Sequence, residues 1–293
     1  MSMTSDISAP ARPTAALQPA TQPASRSNPV HPRPAIELQD ASVVFGSGDK
    51  VVTALSPTTL RMARGDFLAL VGPSGCGKST ILRLASNLIQ PSSGIVLLGG
   101  REPAAKELRI GMAFQNPTML PWLTIEKNVM LPLKIVEPFK RTFQQDKKGA
   151  YRDRVHALLA QVGLQDFAGH FPWQLSGGML QRANLCRALI HDPDLLLLDE
   201  PFGALDQFTR EELWQILQDL YLDRKPTVLL VTHDLREAGF LARRICVMSA
   251  RPGRIISDKA VTMPQPRDIG VIYTPAFVEM TQGLRELIAQ IRK

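Results

Sequence analysis

One short segment of the sequence combines glycines, a lysine and hydroxyl side chains in a spacing that suits phosphate binding. Its residues match the pattern GxxxxGK[ST] in full: Gly72, Pro73, Ser74, Gly75, Cys76, Gly77, Lys78, Ser79 and Thr80. The glycines let the backbone curl so that successive N–H groups point at phosphate oxygens. Lys78 is predicted to reach the β- and γ-phosphates of a nucleotide, and the Ser79 hydroxyl to ligate Mg²⁺.

The residues around this phosphate loop supply the two elements that it needs. Phe67 to Val71 is a continuous apolar run, which is typical of a buried parallel strand. Ser79 to Asn87 carries apolar residues at helical spacing, and the N-terminus of such a helix adds positive potential beside a phosphate. With strand and helix both predicted, an incidental glycine-rich turn is a poor explanation of the segment.

Two adjacent carboxylates form the second candidate for chemistry. Asp199 and Glu200 directly follow the apolar run Leu195 to Leu198, which predicts a buried strand that ends at them. In doubly wound folds the carboxyl ends of such strands lie at the ligand site. We predict that Asp199 holds Mg²⁺, and that Glu200 polarises and orients the attacking water as a catalytic residue.

Alternating helices and apolar strands predict the architecture that positions these residues. Val228 to Val231 is a third buried strand, and the alternation indicates an α/β fold with a mostly parallel sheet covered by helices on its faces. Residues from about 117 to 175 have a helical pattern and are predicted to form a helical insertion. An amphipathic stripe near the C-terminus is predicted to dock on the parent domain, and its members are Phe277, Met280, Leu284, Leu287, Ile288 and Ile291.

Composition shifts divide the chain into three predicted parts. Residues 1–34 are rich in proline, alanine, serine and threonine, and are predicted to form a disordered leader because they have little apolar surface to bury. Residues 35–254 are the predicted main domain, and residues 255–293 the C-terminal extension with its amphipathic helix. No internal repeat is apparent.

Overall composition excludes several classes of protein. Hydrophobic residues make up 44% and charged residues 21% of the 293 residues, which is ordinary for a globular chain. No apolar run reaches the roughly 18 residues needed to cross a bilayer, so a soluble cytoplasmic chain is expected. Three scattered cysteines do not form a disulfide framework. The net charge of +7 is spread along the chain, so nucleic acid is not an expected partner.

Four further segments give the sequence a family resemblance. Leu175-Ser176-Gly177-Gly178-Met179-Leu180-Gln181-Arg182, here called the signature segment, resembles the LSGGQ signature of ABC ATPases. Gln115 in Phe114-Gln115-Asn116-Pro117 resembles the family's Q-loop, and Ala204-Leu205-Asp206 its D-loop. His233 in Val231-Thr232-His233-Asp234 resembles its switch histidine. The resemblance covers about Ile36 to Arg254 and keeps the family's order of motifs.

The resemblance implies a P-loop ATPase fold of the RecA type, with an N-terminal antiparallel β subdomain and an inserted helical subdomain. It also implies that Gln115 senses the metal and the water, and that His233 contacts the γ-phosphate as a catalytic residue. Phe45 stands where the family often has an aromatic side chain that stacks on adenine, but the sequence leaves open an ordinary strand core residue.

The family's quaternary arrangement is implied as well. Two ATP molecules lie between two copies of the chain, so that Ser176, Gly177 and Gly178 of one copy face the phosphate loop of the other. Met179 replaces the usual signature glutamine and cannot donate an amide hydrogen bond. Methionine here, with Met119 to Thr124, resembles the nitrate, sulfonate and taurine importer group.

This resemblance predicts an ATPase that drives a bacterial importer. Its expected partners are integral membrane permease subunits, a second copy of itself and, indirectly, a solute-binding protein, and its expected place is the cytoplasmic face of the inner membrane. Two alternatives stay open on the residues alone. One is a soluble ABC ATPase acting on nucleic acid or ribosomes, and the other is a small-molecule kinase, which would leave the signature segment and His233 without a role.

Overall fold

The computed structural model describes residues 33–46, 50–102 and 108–291. Most of the predicted leader therefore lies outside the described residues. Of its last two positions, Arg33 is exposed and Pro34 is buried. The division of the chain into leader, main domain and extension stays a prediction.

Two sheets form the centre of the described chain. A three-stranded antiparallel sheet has the order β2-β1-β4, and a six-stranded sheet has the order β5-β6-β7-β3-β8-β9. The strands of the larger sheet are parallel except for β9, which runs antiparallel to β8. The strand bounds are β1 (Ile36–Phe45), β2 (Val52–Met62), β3 (Phe67–Val71), β4 (Ser93–Leu98), β5 (Ile110–Ala113), β6 (Leu195–Asp199), β7 (Thr227–Val231), β8 (Arg244–Met248) and β9 (Ile255–Ala260).

Helices surround the larger sheet and also form the predicted insertion. Their bounds are α1 (Lys78–Ala85), α2 (Ile125–Ile135), α3 (Phe139–Asp146), α4 (Ala150–Gln161), α5 (Gly177–Leu189), α6 (Gln207–Arg224), α7 (Leu235–Leu241) and α8 (Pro275–Ile291). Within the described ranges, short 3₁₀ turns cover Gln165–Phe167, Pro172–Gln174 and Ile269–Tyr273. The predicted fold class, with its antiparallel β subdomain and inserted helices, is confirmed.

Side chains of the central strands alternate between two hydrophobic cores because successive strand residues point to opposite faces of a sheet. Leu68 and Leu70 of β3 belong to a core that α1 shares with the antiparallel sheet. Phe67, Ala69 and Val71 of the same strand belong to a core formed with the helices on the other face. A strand buried on both faces gives the continuous apolar run that the sequence shows.

The C-terminal segment packs on α7. Phe277 and Leu284 of α8 are buried, and Gly239 of α7 lies so close that a Cβ there would come within 2.9 Å of the Phe277 ring. Buried Arg267 donates hydrogen bonds to the carbonyls of Phe240 and Ala242 at 2.8 Å each, at the C-terminal end of α7. Burial, followed by the charge of Arg243, lowers the pKa of Arg267 to about 10, which leaves it charged at neutral pH. Because α7 begins at Leu235, two residues after His233, this contact links the C-terminal segment to the part of the chain that carries His233.

Candidate functional site

The phosphate loop lies where the sequence predicts it, between β3 and α1. Gly72, Gly75 and Gly77 have φ values of 155°, 73° and 97°, which residues with a Cβ rarely adopt. At Gly77 a Cβ would also lie 2.8 Å from the Ala54 carbonyl oxygen. The two glycines nearest the helix therefore allow the curl that turns the loop N–H groups toward one point.

Lys78 supports this curl from within. Its ammonium group donates hydrogen bonds to the carbonyl oxygens of Gly72 and Pro73, both at 2.9 Å, and the side chain is buried. A buried ammonium group needs such oxygen partners because desolvation otherwise disfavours the charge. The lysine thus brings a fixed positive charge to the wall of the phosphate pocket.

Ser79 and Asp199 meet although they are far apart in the sequence. The Ser79 hydroxyl donates a hydrogen bond of 3.2 Å to Asp199 Oδ1, which brings the start of α1 to the end of β6. Burial raises the pKa of Asp199, the Ser79 hydrogen bond lowers it, and the neighbouring Glu200 carboxylate raises it again. A divalent cation beside Asp199 would favour its ionised form.

The donor set at this point fits Mg²⁺. A hydroxyl and a carboxylate offer the hard oxygen ligands that Mg²⁺ prefers, and the remaining positions are normally filled by water and substrate phosphates. Among the described residues, no group of three or more acidic, histidine or cysteine side chains could hold a metal by itself. The pair therefore suits a cation that arrives with a nucleotide.

Glu200, His233 and Gln115 gather beside this pair. The Glu200 Oε2 atom lies 3.3 Å from His233 Nδ1. A Cβ on Gly203 would lie 3.4 Å from the Gln115 amide nitrogen and 3.8 Å from the His233 ring, so the absence of a side chain at Gly203 leaves room for these two side chains. Glu200 has a left-handed backbone (φ 46°) held by its N–H bond to the Val231 carbonyl at 2.8 Å. Residues in such conformations often mark functional sites.

A cavity of about 310 Å³ opens over the phosphate loop. Its lining includes most of the predicted nucleotide-binding residues and Glu200, in the full set Phe45, Val52, Ala54, Ser74, Gly75, Gly77, Lys78, Ser79, Thr80, Glu200 and Arg251. Phe45 is 43% exposed, so it is not an ordinary core residue. The sequence predicts that Cys76 binds nucleotide, but the residue is only 1% exposed, its N–H donates to the Pro73 carbonyl at 3.4 Å, and it is not among the residues that line this cavity.

The signature segment lies apart from this cavity. Ser176 caps α5, with its hydroxyl oxygen accepting from the Met179 N–H at 3.3 Å. A Cβ on Gly177 would meet no atom within 4 Å, so its surface is open. Ser176, Gly177 and Gly178 are not among the lining residues of their own chain's cavity.

Several residues around the site carry no motif that would reveal them. Gln181 and Asn184 of α5 donate to the Phe114 carbonyl oxygen at 3.4 and 3.3 Å, which holds the backbone next to Gln115. Arg251 lines the cavity from the loop after β8. Glu237 is buried and accepts a hydrogen bond from the hydroxyl of Thr232, the residue before His233, and burial raises its pKa to about 8. No spacing pattern in the sequence signals these contacts, because they depend on how distant elements pack.

A phosphate loop on a mostly parallel sheet, with a serine and an aspartate meeting beside it, defines a nucleotide-binding P-loop protein. The comparisons with known proteins narrow the class. The family model described as ABC transporter matches residues 55–203, just over half of the chain. The chain therefore belongs to the ABC transporter family, and it corresponds to the ATP-binding component of such transporters.

Curated relatives and a solved structure agree with this family. The aliphatic sulfonates import ATP-binding protein SsuB of Bacillus licheniformis is 41% identical over 223 residues, which are 76% of this chain and 83% of that protein. SsuB 1 of Burkholderia cenocepacia is 43% identical over 242 residues, 83% of this chain and 69% of that protein. A dimeric ATP-binding cassette in a post-hydrolysis state, bound to ADP and Pi, matches with a TM-score of 0.65 and 30% identity over 78% of this chain and all of that one.

Membership of this family makes the chain an ATPase that uses ATP and Mg²⁺. Bound Mg²⁺ supplies positive charge that offsets the charge of the phosphates. No helix among residues 33–46, 50–102 and 108–291 combines the length and apolar composition that crossing a bilayer requires.

Proposed function

We propose that this chain is the ATP-hydrolysing subunit of a bacterial importer for aliphatic sulfonates or similar small anions. One observation carries the proposal: the Ser79–Asp199 pair and the Glu200–His233 pair meet beside the phosphate loop, in a chain 41% identical to a sulfonate import protein. The assignment of the transported solute depends on that similarity, because the ATPase subunit hydrolyses ATP and does not form the transport path.

Each predicted site residue then has a role. The N–H groups of the phosphate loop and Lys78 bind the phosphates, and Ser79 and Asp199 hold the metal. Gln115 contacts the metal and the water, and His233 contacts the γ-phosphate. Glu200 is 3.3 Å from His233, so the histidine can hold the carboxylate toward the attacking water, which Glu200 orients and polarises. Phe45, exposed at the rim of the cavity, stacks on adenine.

Two copies complete each site in this proposal. Ser176, Gly177 and Gly178 do not line their own chain's cavity, and the open surface of Gly177 leaves room for a second chain's nucleotide. The matching solved cassette is dimeric, which supports a sandwich of two chains. ATP can drive closure only through a higher affinity for the closed dimer than for the open one.

Closure of the dimer would also move the membrane subunits. Integral membrane permease subunits receive this motion through the helical insertion, whose α2 and α4 pack against α5 and so lie on the helix that begins at the signature segment. The chain would work at the cytoplasmic face of the inner membrane and meet a solute-binding protein only indirectly.

Replacing Glu200 by glutamine tests the catalytic part of the proposal. The amide keeps the size of the side chain but loses its basicity, so we expect ATP hydrolysis to fall by about 10²- to 10⁴-fold. Binding of a fluorescent ATP analogue should stay close to that of the wild type. Glu286→Gln, an exposed carboxylate on α8, is the matched control and should keep wild-type turnover. Near-normal steady-state hydrolysis by Glu200→Gln would remove Glu200 from the catalytic role.

A further inference from the structure

Arg251 contributes a second cationic side chain to the nucleotide cavity, from the opposite end of the main domain's sequence. It lines the cavity together with Ser74 and Gly75. Its Nε donates a hydrogen bond of 3.3 Å to the Gly75 carbonyl oxygen. Its Nη2 atom lies 3.1 Å from the position that a Cβ on Gly75 would occupy. The guanidinium group therefore lies against the phosphate loop at Gly75.

The loop that carries this arginine is held together internally. Residues 249–254, here called the arginine loop, are closed by the Ser249 N–H, which donates to the Arg254 carbonyl at 2.9 Å. The Arg254 N–H in turn donates to the Ser249 hydroxyl oxygen at 3.0 Å, and that hydroxyl shares its proton between the Ala250 carbonyl at 2.9 Å and the Pro252 carbonyl at 3.2 Å. A loop closed by these bonds presents its central side chain in a defined place.

Contacts on either side fix the arginine loop against the site. Gly253 accepts a hydrogen bond of 2.8 Å from the Ser56 N–H and donates one of 3.3 Å to the Ala54 carbonyl, so it pairs with β2. On its other side, a Cβ on Gly253 would lie only 1.8 Å from the Cys76 carbonyl oxygen. Glycine is therefore required for the arginine loop to lie directly on the phosphate loop.

The guanidinium has bonding capacity left after these contacts. An arginine carries five N–H donors, and the described bond to Gly75 uses one of them. Among the residues that the structure describes, no carboxylate forms an ion pair with Arg251, and Arg251 is exposed and lines the cavity. Lys78, in contrast, is already bonded to two carbonyls of the phosphate loop. An anion in the cavity is the partner that the free donors of Arg251 can satisfy.

We propose that Arg251 is a nucleotide-binding residue, whose guanidinium donates charge-assisted hydrogen bonds to phosphate oxygens of ATP. The proposal rests on the nucleotide site proposed above and adds to it a residue from outside its motifs. We expect Arg251 to bind the phosphates rather than the base of the nucleotide. It lies against Gly75 of the phosphate loop, and N–H groups of such loops point at phosphates. The arginine loop holds the guanidinium group in position.

Two substitutions separate this role from a purely structural latch. Arg251→Gln keeps a donor for the Gly75 carbonyl but removes the charge, whereas Arg251→Lys keeps the charge and loses the planar fork. We expect Arg251→Gln to bind MgATP and MgADP about three- to tenfold more weakly, as for the loss of a partly solvated charge-assisted bond. Arg251→Lys should recover at least half of the lost binding free energy.

The matched control is Arg254→Gln. Arg254 lies three positions after Arg251 and carries the same charge, but its side chain does not line the cavity. Affinities come from titration with fluorescent ATP and ADP analogues on the full chain. Steady-state kinetics should show a raised KM with little change in kcat, the pattern of lost uniform binding. The difference between wild type and Arg251→Gln should shrink at high salt because the contact is exposed.

If the Arg251→Gln variant binds both nucleotides as tightly as the wild type, the proposal is overturned. Arg251 would then have only a structural role, through its hydrogen bond to Gly75. An equal loss in Arg254→Gln would also overturn the proposal, since the effect would then be one of general charge. A wild-type chain that binds neither nucleotide would overturn this proposal together with the proposed function. The two failures are thus distinguishable.

Discussion

Glu237 offers a quantitative test of how the site is packed. This glutamate is 3% exposed, and its Oε2 accepts a hydrogen bond of 3.0 Å from the Thr232 hydroxyl, next to His233 in the sequence. Its other carboxyl oxygen has no hydrogen-bond partner among the described residues. Burial raises its pKa from 4.5 to about 8, the Thr232 bond lowers it, Asp234 and Glu200 raise it, and Arg210 lowers it.

The sign of the effect on stability follows from these pKa values. Between the unfolded pKa of 4.5 and the folded pKa of about 8, the folded chain keeps a proton that the unfolded chain releases. The free energy of unfolding therefore falls as pH rises, by about 1.4 kcal/mol per pH unit. From pH 5 to pH 8 the loss amounts to as much as about 4 kcal/mol, and it levels off above the folded pKa.

Glu237→Gln removes this titration. The amide nitrogen takes the place of a carboxyl oxygen that already lacks a hydrogen-bond partner, so the variant is expected to be about as stable as the wild type at pH 5, where the carboxyl is protonated. As pH rises to 8, the difference should shift in favour of the variant by up to about 4 kcal/mol. Urea unfolding of both proteins at several pH values measures the shift, with exposed Glu286→Gln as the control. A difference between variant and wild type that stays flat across this range would refute the reasoning.

Two further predictions concern the metal pair and the arginine loop. Without nucleotide and at neutral pH, Asp199→Asn should melt at a higher temperature than the wild type, because it removes a carboxylate whose pKa is raised by burial. The same variant should lose about 100-fold or more in ATP hydrolysis. An unchanged melting temperature would contradict the stability prediction. Gly253→Ala should lose about 1–3 kcal/mol of unfolding free energy and bind ATP more weakly, because its Cβ would collide with the Cys76 carbonyl. Its control, Gly283→Ala in α8, has open space around the new methyl group and should be neutral or slightly stabilising, so equal losses in both would refute the packing argument.

Much of the fold could be predicted because local patterns and burial agree. The run Phe67 to Val71 is β3 itself, since a strand covered on both faces needs apolar residues throughout. The amphipathic stripe near the C-terminus is α8, and its Phe277 and Leu284 are buried as the spacing indicates. Strand β5 was not predicted because it has only four residues, and Gly111 interrupts its apolar pattern.

The candidate site could be predicted only as far as its motifs extend. The phosphate loop and Asp199 each carry a local pattern, and the structure brings Ser79 and Asp199 within 3.2 Å of each other. Arg251 and Glu237 carry no such pattern, because their positions depend on the packing of β2, α7 and the phosphate loop. The two interpretations of Phe45 could not be separated from sequence, since an aromatic residue in a strand suits a core as well as a rim.

The central claim is that two copies of this chain form each ATP site. Lys78→Ala and Ser176→Arg should each abolish hydrolysis, because they damage opposite halves of a shared site. In an equal mixture, half of the dimers combine the two variants, and each of these has one site with an intact Lys78 and an intact Ser176. A site shared between two chains should recover up to about a quarter of wild-type ATP hydrolysis in this mixture, measured with the permease subunits present if the isolated dimer is too weak. If no hydrolysis returns although differential tags show that mixed dimers have formed, the composite site is contradicted.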